Sequence, residues 1–125
     1  MLSDGKISAT IAVKDMAAAR NFYENSLGLK DGKEDPSGIS YQCGSGQLHI
    51  YQSEFAGTNK ATAVFWAVND IEALVQDLKG KGVVFEHYPD LPGVSMEGDI
   101  HVMGPMKSVW FKDPDGNILA AGNDV

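Results

Sequence analysis

Two stretches of this chain follow one plan. IAVKDMAAARNFYENSLG, from Ile11 to Gly28, and FWAVNDIEALVQDLKGKG, from Phe65 to Gly82, each read as an apolar strand, then Val-x-Asp, then a helical pattern closed by glycine. Val13 and Asp15 in the first correspond to Val68 and Asp70 in the second. A repeat of this size signals a duplicated supersecondary unit, not a stack of many short repeats. That restricts the chain to folds in which one strand–helix module is built twice.

Each module can be filled in from local chemistry. Asp15 is a good N-cap for a first helix, with Met16, Ala19, Tyr23 and Leu27 at helical spacing and Gly28 suited to a left-handed stop. The second helix starts at Asn69 or Asp70, buries Ile71, Leu74, Val75 and Leu78, and ends at Gly80 and Gly82. Extended segments follow each helix. In the first half they are 39–43 and 47–51, joined by GSG as a hairpin. In the second half they are 83–86, 108–112 and 117–121, with DPDG turning between the last two. The stretch from Tyr88 to Gly104 is rich in turn formers and reads as a long loop of the kind that forms rims and lids. Each half is strand–helix–strand–strand with room for one extra strand. The fold class is α+β, with a mostly antiparallel, curved sheet.

The chain has 125 residues, enough for one domain with one core. Within it, module one spans about residues 1–52, a linker about 53–60, and module two about 61–125. The formal net charge of −7 argues against nucleic acid and anionic membrane surfaces as partners. The longest apolar run, Ala63–Val68, is too short to span a bilayer, and the polar N-terminus lacks the apolar segment of a secretion signal. Cys43 is the sole cysteine, so no intrachain disulfide forms. A reducing cytoplasm is the default compartment, and Cys43 reads as a small core residue.

VKDMAAARNFYENSLGL and WFKDPDGNIL resemble the first strand–helix unit and the last hairpin of the vicinal oxygen chelate superfamily. That group includes glyoxalase I, extradiol dioxygenases, and fosfomycin- and bleomycin-resistance proteins. FAGTNKATA followed by VNDIEALVQDLKGKGVVFE is similar to a bacterial glyoxalase-like subgroup. The resemblance covers nearly the whole chain. It implies paired βαβββ modules that form a cupped sheet around a central pocket with helices outside, in a homodimer. It speaks to fold more than to function, because one fold hosts many activities.

Metal-dependent members of that superfamily hold one divalent ion with His and Glu from the cup-lining strands. The resemblance carries those positions onto Ser8, Ala63 and Ala120, with the remaining ligand near His49 to Tyr51. Ser8 is a poor ligand, and Ala63 and Ala120 have no donor atom. A catalytic metal needs about three protein ligands in fixed geometry, so the expectation is a cup with no metal or other cofactor. Glu97, Asp99 and His101 alternate, and on a single extended strand they would share a face; the plainer reading is a solvated polar strand face.

Strand parity says what would line the cup instead. If Ser8 faces inward, so do Thr10 and Ala12, while Ile7, Ala9, Ile11 and Val13 pack under the helices. In the second half Ala63, Phe65 and Ala67 face inward, with Val64, Trp66 and Val68 behind them. Ile118 and Ala120 face inward on the last strand. The candidate ligand-contacting residues are therefore Ser8, Thr10, His49, Tyr51, Phe65, Trp110 and Ala120, a lining of apolar walls with sparse polar groups. No residue stands out as catalytic. Three functions remain open: a metal-free protein that binds a small molecule; a lyase, isomerase or dioxygenase with an atypical metal set drawing on His49 or His101; and an accessory module with no ligand.

Overall fold

The computed structural model describes residues 1–123. Both helix starts are set as the sequence indicates. The Asp15 carboxylate accepts from the backbone N–H of Ala17 and Ala18, at 2.9 and 3.2 Å, and opens α1, Met16–Arg20. The Asp70 carboxylate accepts from Ala73 N–H at 3.0 Å and opens α2, Ile71–Gly80. Each cap satisfies backbone donors that a helix start otherwise leaves open. α1 widens into a π-helical segment, Asn21–Ser26, and stops at Gly28, whose φ of 77° suits glycine.

The strands are β1 (Ser8–Val13), β2 (Lys33–Asp35), β3 (Gly38–Cys43), β4 (Gly46–Gln52), β5 (Thr62–Val68), β6 (Phe85–Glu86), β7 (Ser95–Glu97), β8 (Ile100–Met103), β9 (Met106–Lys112) and β10 (Ile118–Asn123). They form two open, curved sheets. The first has the order β1-β4-β3-β2, and the second β5-β10-β9-β8-β7, with β6 also paired to β9. The opening strand of each half lies parallel to its closing strand, β1 to β4 and β5 to β10, and the other pairs are antiparallel. The repeated sequence plan is thus a repeated topology.

Two details differ from the sequence expectation. The stretch from Tyr88 to Gly104 is not all loop, because β7 and β8 form a hairpin there that extends the second sheet. Its turn holds Gly98 at φ 62°. Glu97 and His101 therefore sit on opposite arms of that hairpin and do not share one strand face. The other addition is β2, the extra strand that the first half had room for.

One face of each sheet buries its side chains. Ile11, Val13, Ile39, Tyr41, Leu48 and Ile50 from the first sheet join Val64, Val109, Phe111, Leu119 and Ala121 from the second in one cluster. Tyr23 of the helical segment and Ile71, Val75 and Leu78 of α2 close over it. Fully burying each large aliphatic or aromatic side chain contributes about 1.5–3 kcal/mol. The fold therefore rests on this face and leaves the other available for function. Cys43 packs against the edge of the cluster and is only partly buried.

The DPDG turn fastens the halves together. Asp113 is 5% exposed, and its carboxylate accepts from the Tyr23 hydroxyl at 2.8 Å, from the backbone N–H of Asp115 and Asn117 at 2.9 Å each, and from Asn117 Nδ2 at 2.8 Å. Asn117 Nδ2 also donates to the Ala12 carbonyl at 2.8 Å. Burial, and then the neighbouring Asp113 charge, push the Tyr23 hydroxyl far above the ordinary phenol range, so it stays a donor. The linker closes against the same turn. Gly57 has φ 74°, and a Cβ there would lie 2.0 Å from the Asp115 carbonyl oxygen, so only glycine fits.

Candidate functional site

The sheet faces opposite the core carry the candidate site. Cα pairing places Ser8 beside Gln47, Thr10 beside His49, and Ala12 beside Tyr51 on the first sheet. On the second it places Ala120 between Phe65 and Trp110. Paired residues on neighbouring strands share a face. The pairings thus group Ser8, Thr10, His49 and Tyr51 on one face of the first sheet, and Phe65, Ala120 and Trp110 on one face of the second. Phe65 is 52% exposed and Tyr51 37%.

The two faces differ in character. On the second sheet, Trp110 Nε1 donates to Thr62 Oγ1 at 3.0 Å. Trp110 is on β9 and Thr62 on β5, and β10 runs between them. The indole thus crosses the strand that carries Ala120, and Ala120 is only 1% exposed. This corrects the picture of Ala120 as an open ligand contact: it faces the expected way but is roofed over. His101 and Tyr88 meet Trp110 edge-on, with ring centroids 4.8 and 5.6 Å away. Aromatic side chains fill this half of the cup.

His101 was expected on a solvated strand, yet it is fully buried. Its Nε2 accepts from the Tyr88 backbone N–H at 2.8 Å, and its Nδ1 has no partner among the described residues. An accepting Nε2 leaves the proton on Nδ1, so the ring is neutral. Burial holds this imidazole below its ordinary value of 6.5. The unfolded chain therefore binds this proton at higher pH than the folded one, and His101 costs no stability above about pH 6.5 but destabilises as pH falls below it. Melting midpoints measured against pH should decline from that point downward. In His101→Phe this early decline should shrink, leaving the later loss as the depressed Glu24, Asp35, Glu72 and Asp99 carboxylates protonate.

The first sheet's face stays open and polar. Ser40 Oγ lies 2.7 Å from His49 Nδ1, and Ser37 Oγ lies 3.3 Å from His49 Nε2. Asp35 accepts from both the backbone N–H and the hydroxyl of Ser37. Tyr51 stacks near His49, with planes 12° apart. Sequence reasoning named His49 but not its serine partners, which only the β3–β4 register brings to it. A groove of about 840 Å³ runs past both sheets, lined by Gln42, Gln47, Phe65 and Ala67 from the open faces and by Ala9, Leu48, Val64 and Trp66 from the core side. Of the predicted contact residues only Phe65 lines it. Cys43, Lys30 and Leu29, which sequence reasoning did not select, line it too.

Residues 7–120 match the Glyoxalase/Bleomycin resistance protein/Dioxygenase superfamily. The chain belongs to this superfamily. Solved structures of similar fold include a glyoxalase/bleomycin resistance protein from Catenulispora acidiphila, 23% identical with TM-score 0.69, covering 96% of this chain and 98% of that one. A genomically encoded fosfomycin resistance protein from Listeria monocytogenes is 14% identical with TM-score 0.71, over 98% of this chain and 94% of that one. An antibiotic binding protein from a Streptomyces species is 16% identical with TM-score 0.65, over 98% of each chain. At such identities the likeness is one of fold. Nothing among curated proteins matches the sequence. The positions that the resemblance would assign to a metal are Ser8, Ala63, the covered Ala120 and one near His49 to Tyr51. Among the described residues no three His, Cys, Asp or Glu side chains gather in a way that could hold an ion.

Proposed function

We propose that this superfamily member binds a small molecule between its open sheet faces without a metal ion. The observation that carries this reading is the Trp110 indole spanning from β9 to Thr62 across Ala120. An indole takes the space in which the superfamily would set a carboxylate ligand, while the neighbouring groove and the first sheet's face stay open. Apolar walls at Phe65 and Ala67 with amides at Gln42 and Gln47 suit a small organic ligand. The net charge of −7 favours a cationic one by long-range attraction.

The metal-dependent alternative, a lyase, isomerase or dioxygenase, would draw on His49, and a serine hydroxyl already engages each of its ring nitrogens. Pairing of two copies, which the superfamily resemblance implies, belongs to the same proposal. The lone Cys43 fits a reducing cytoplasm. No helix among the described residues is long and apolar enough to cross a membrane.

Intrinsic tryptophan fluorescence and thermal shift, read with chelator present across cationic antibiotics and small metabolites, test the reading. Saturable change with at least one compound class is expected, weakened in Phe65→Ala. Silence across a broad panel, or stoichiometric metal in protein purified without chelator, would overturn it.

A further inference from the structure

With His49 neutral, the hydrogen bonds around it assign a proton to each group in the row that contains it. Asp35 can only accept, so the Ser37 hydroxyl hydrogen points to Asp35. Ser37 Oγ is then left to accept, so the hydrogen between it and His49 belongs to Nε2. A neutral imidazole with its proton on Nε2 presents a basic lone pair at Nδ1. The Ser40 hydroxyl therefore donates to that lone pair, at 2.7 Å. The order is carboxylate, hydroxyl, imidazole, hydroxyl, with polarity running toward Ser40. A nucleophile bonded to a base that a third group orients is the arrangement that activates serine.

A cation completes the row. Lys33 pairs with Ser40 across β2 and β3, Ser40 with His49 across β3 and β4, and His49 with Thr10 across β4 and β1. These residues share the open face. Lys33 makes no ion pair among the described residues, so its ammonium is free to meet negative charge developing beside Ser40.

We propose that Ser40 is a nucleophile for acyl transfer, with His49 as its base, Lys33 as the electrostatic partner, and Ser37 and Asp35 as positioning residues. The substrate class is a small activated acyl ester. Ser40 Oγ forms a bond to the carbonyl carbon while its proton moves to His49 Nδ1. The carbon–oxygen bond to the leaving group then breaks, the departing oxygen keeps the electron pair, and His49 returns the proton to it. Water then attacks the acyl carbon as His49 takes its proton; the carbon–Oγ bond breaks, Oγ keeps the electron pair and takes the proton back from His49, and the carboxylic acid leaves. No oxidant, reductant or metal enters the balance. From the proposed function this takes only that the face meets small molecules.

p-Nitrophenyl acetate is the probe, used on the full chain with chelator present. A stoichiometric burst of nitrophenolate is expected, with an acetyl group mapped by peptide mass spectrometry to Ser40. The burst should vanish in Ser40→Ala and slow by about 10²-fold or more in His49→Gln. Acetyl found only on lysines or the N-terminus, or a burst unchanged in Ser40→Ala, would overturn the assignment. The site mapped on the unsubstituted chain decides the matter even if Ser40→Ala fails to fold. Ligand binding without acylation would sink this inference and leave the proposed function standing; acylation at Ser40 with no binding across the ligand panel would do the reverse.

Discussion

Asp113→Ala should destabilise this chain more than any other single truncation at its surface turns. The carboxylate accepts from Tyr23, Asp115 and Asn117, and its removal strands those donors in a site only 5% exposed. Each buried donor left without a partner costs about 1–3 kcal/mol, and several are stranded here, so the loss should be at least about 3 kcal/mol. In a domain of this size the thermal midpoint should fall by more than about 10 °C. Asp115→Ala provides the contrast, because that carboxylate makes only an exposed 3.3 Å contact to Lys14 N–H and should cost less than about 1 kcal/mol. Parallel melts of the two variants test the claim. Equal, small losses would mean that the turn does not hold the halves together.

Ala120→Glu gives the second large effect, and it separates two views of the cup. By resemblance to the superfamily this substitution restores a metal ligand. In this chain it forces a carboxylate under the Trp110 indole, at a position 1% exposed. Overpacking costs about 1–3 kcal/mol, and an unpaired buried polar group costs about as much again. The variant should therefore melt lower and gain no midpoint on addition of Ni, Zn, Mn or Fe. A metal-dependent gain in stability would show that Trp110 yields its place, and the metal-free reading would fail with it.

Much of the fold could be read from residues that act on their own neighbours. Asp15 and Asp70 cap helices through local geometry, and Gly28 ends one through its own φ. The alternation in β1 and β5 sorted Ser8, Thr10 and Phe65 from Ile11, Val13 and Val64, because a half-buried strand must alternate. The β7–β8 hairpin was hidden because its arms are short and sit among turn formers. The burial of His101 was equally hidden, since it depends on Tyr88 from the loop after β6 and Trp110 from β9. Asp113 was legible as part of a turn, but not as the acceptor for Tyr23, which is distant in sequence. The serine partners of His49 needed a register that composition does not reveal. Apart from that hairpin, what the sequence left out is contact between segments separated along the chain.

The clasp at Asp113 and the core both lie away from the face that bears Ser8, Thr10, Ser40 and His49. Substitutions there should loosen the scaffold little, since these residues lie outside the buried cluster. In the second half, aromatic side chains fill the face around Ala120, while Phe65 stays open beside the groove. The first copy keeps a surface on which selection can try new chemistry at small structural risk, and that difference between the halves is what a duplicated unit makes available to an evolving lineage.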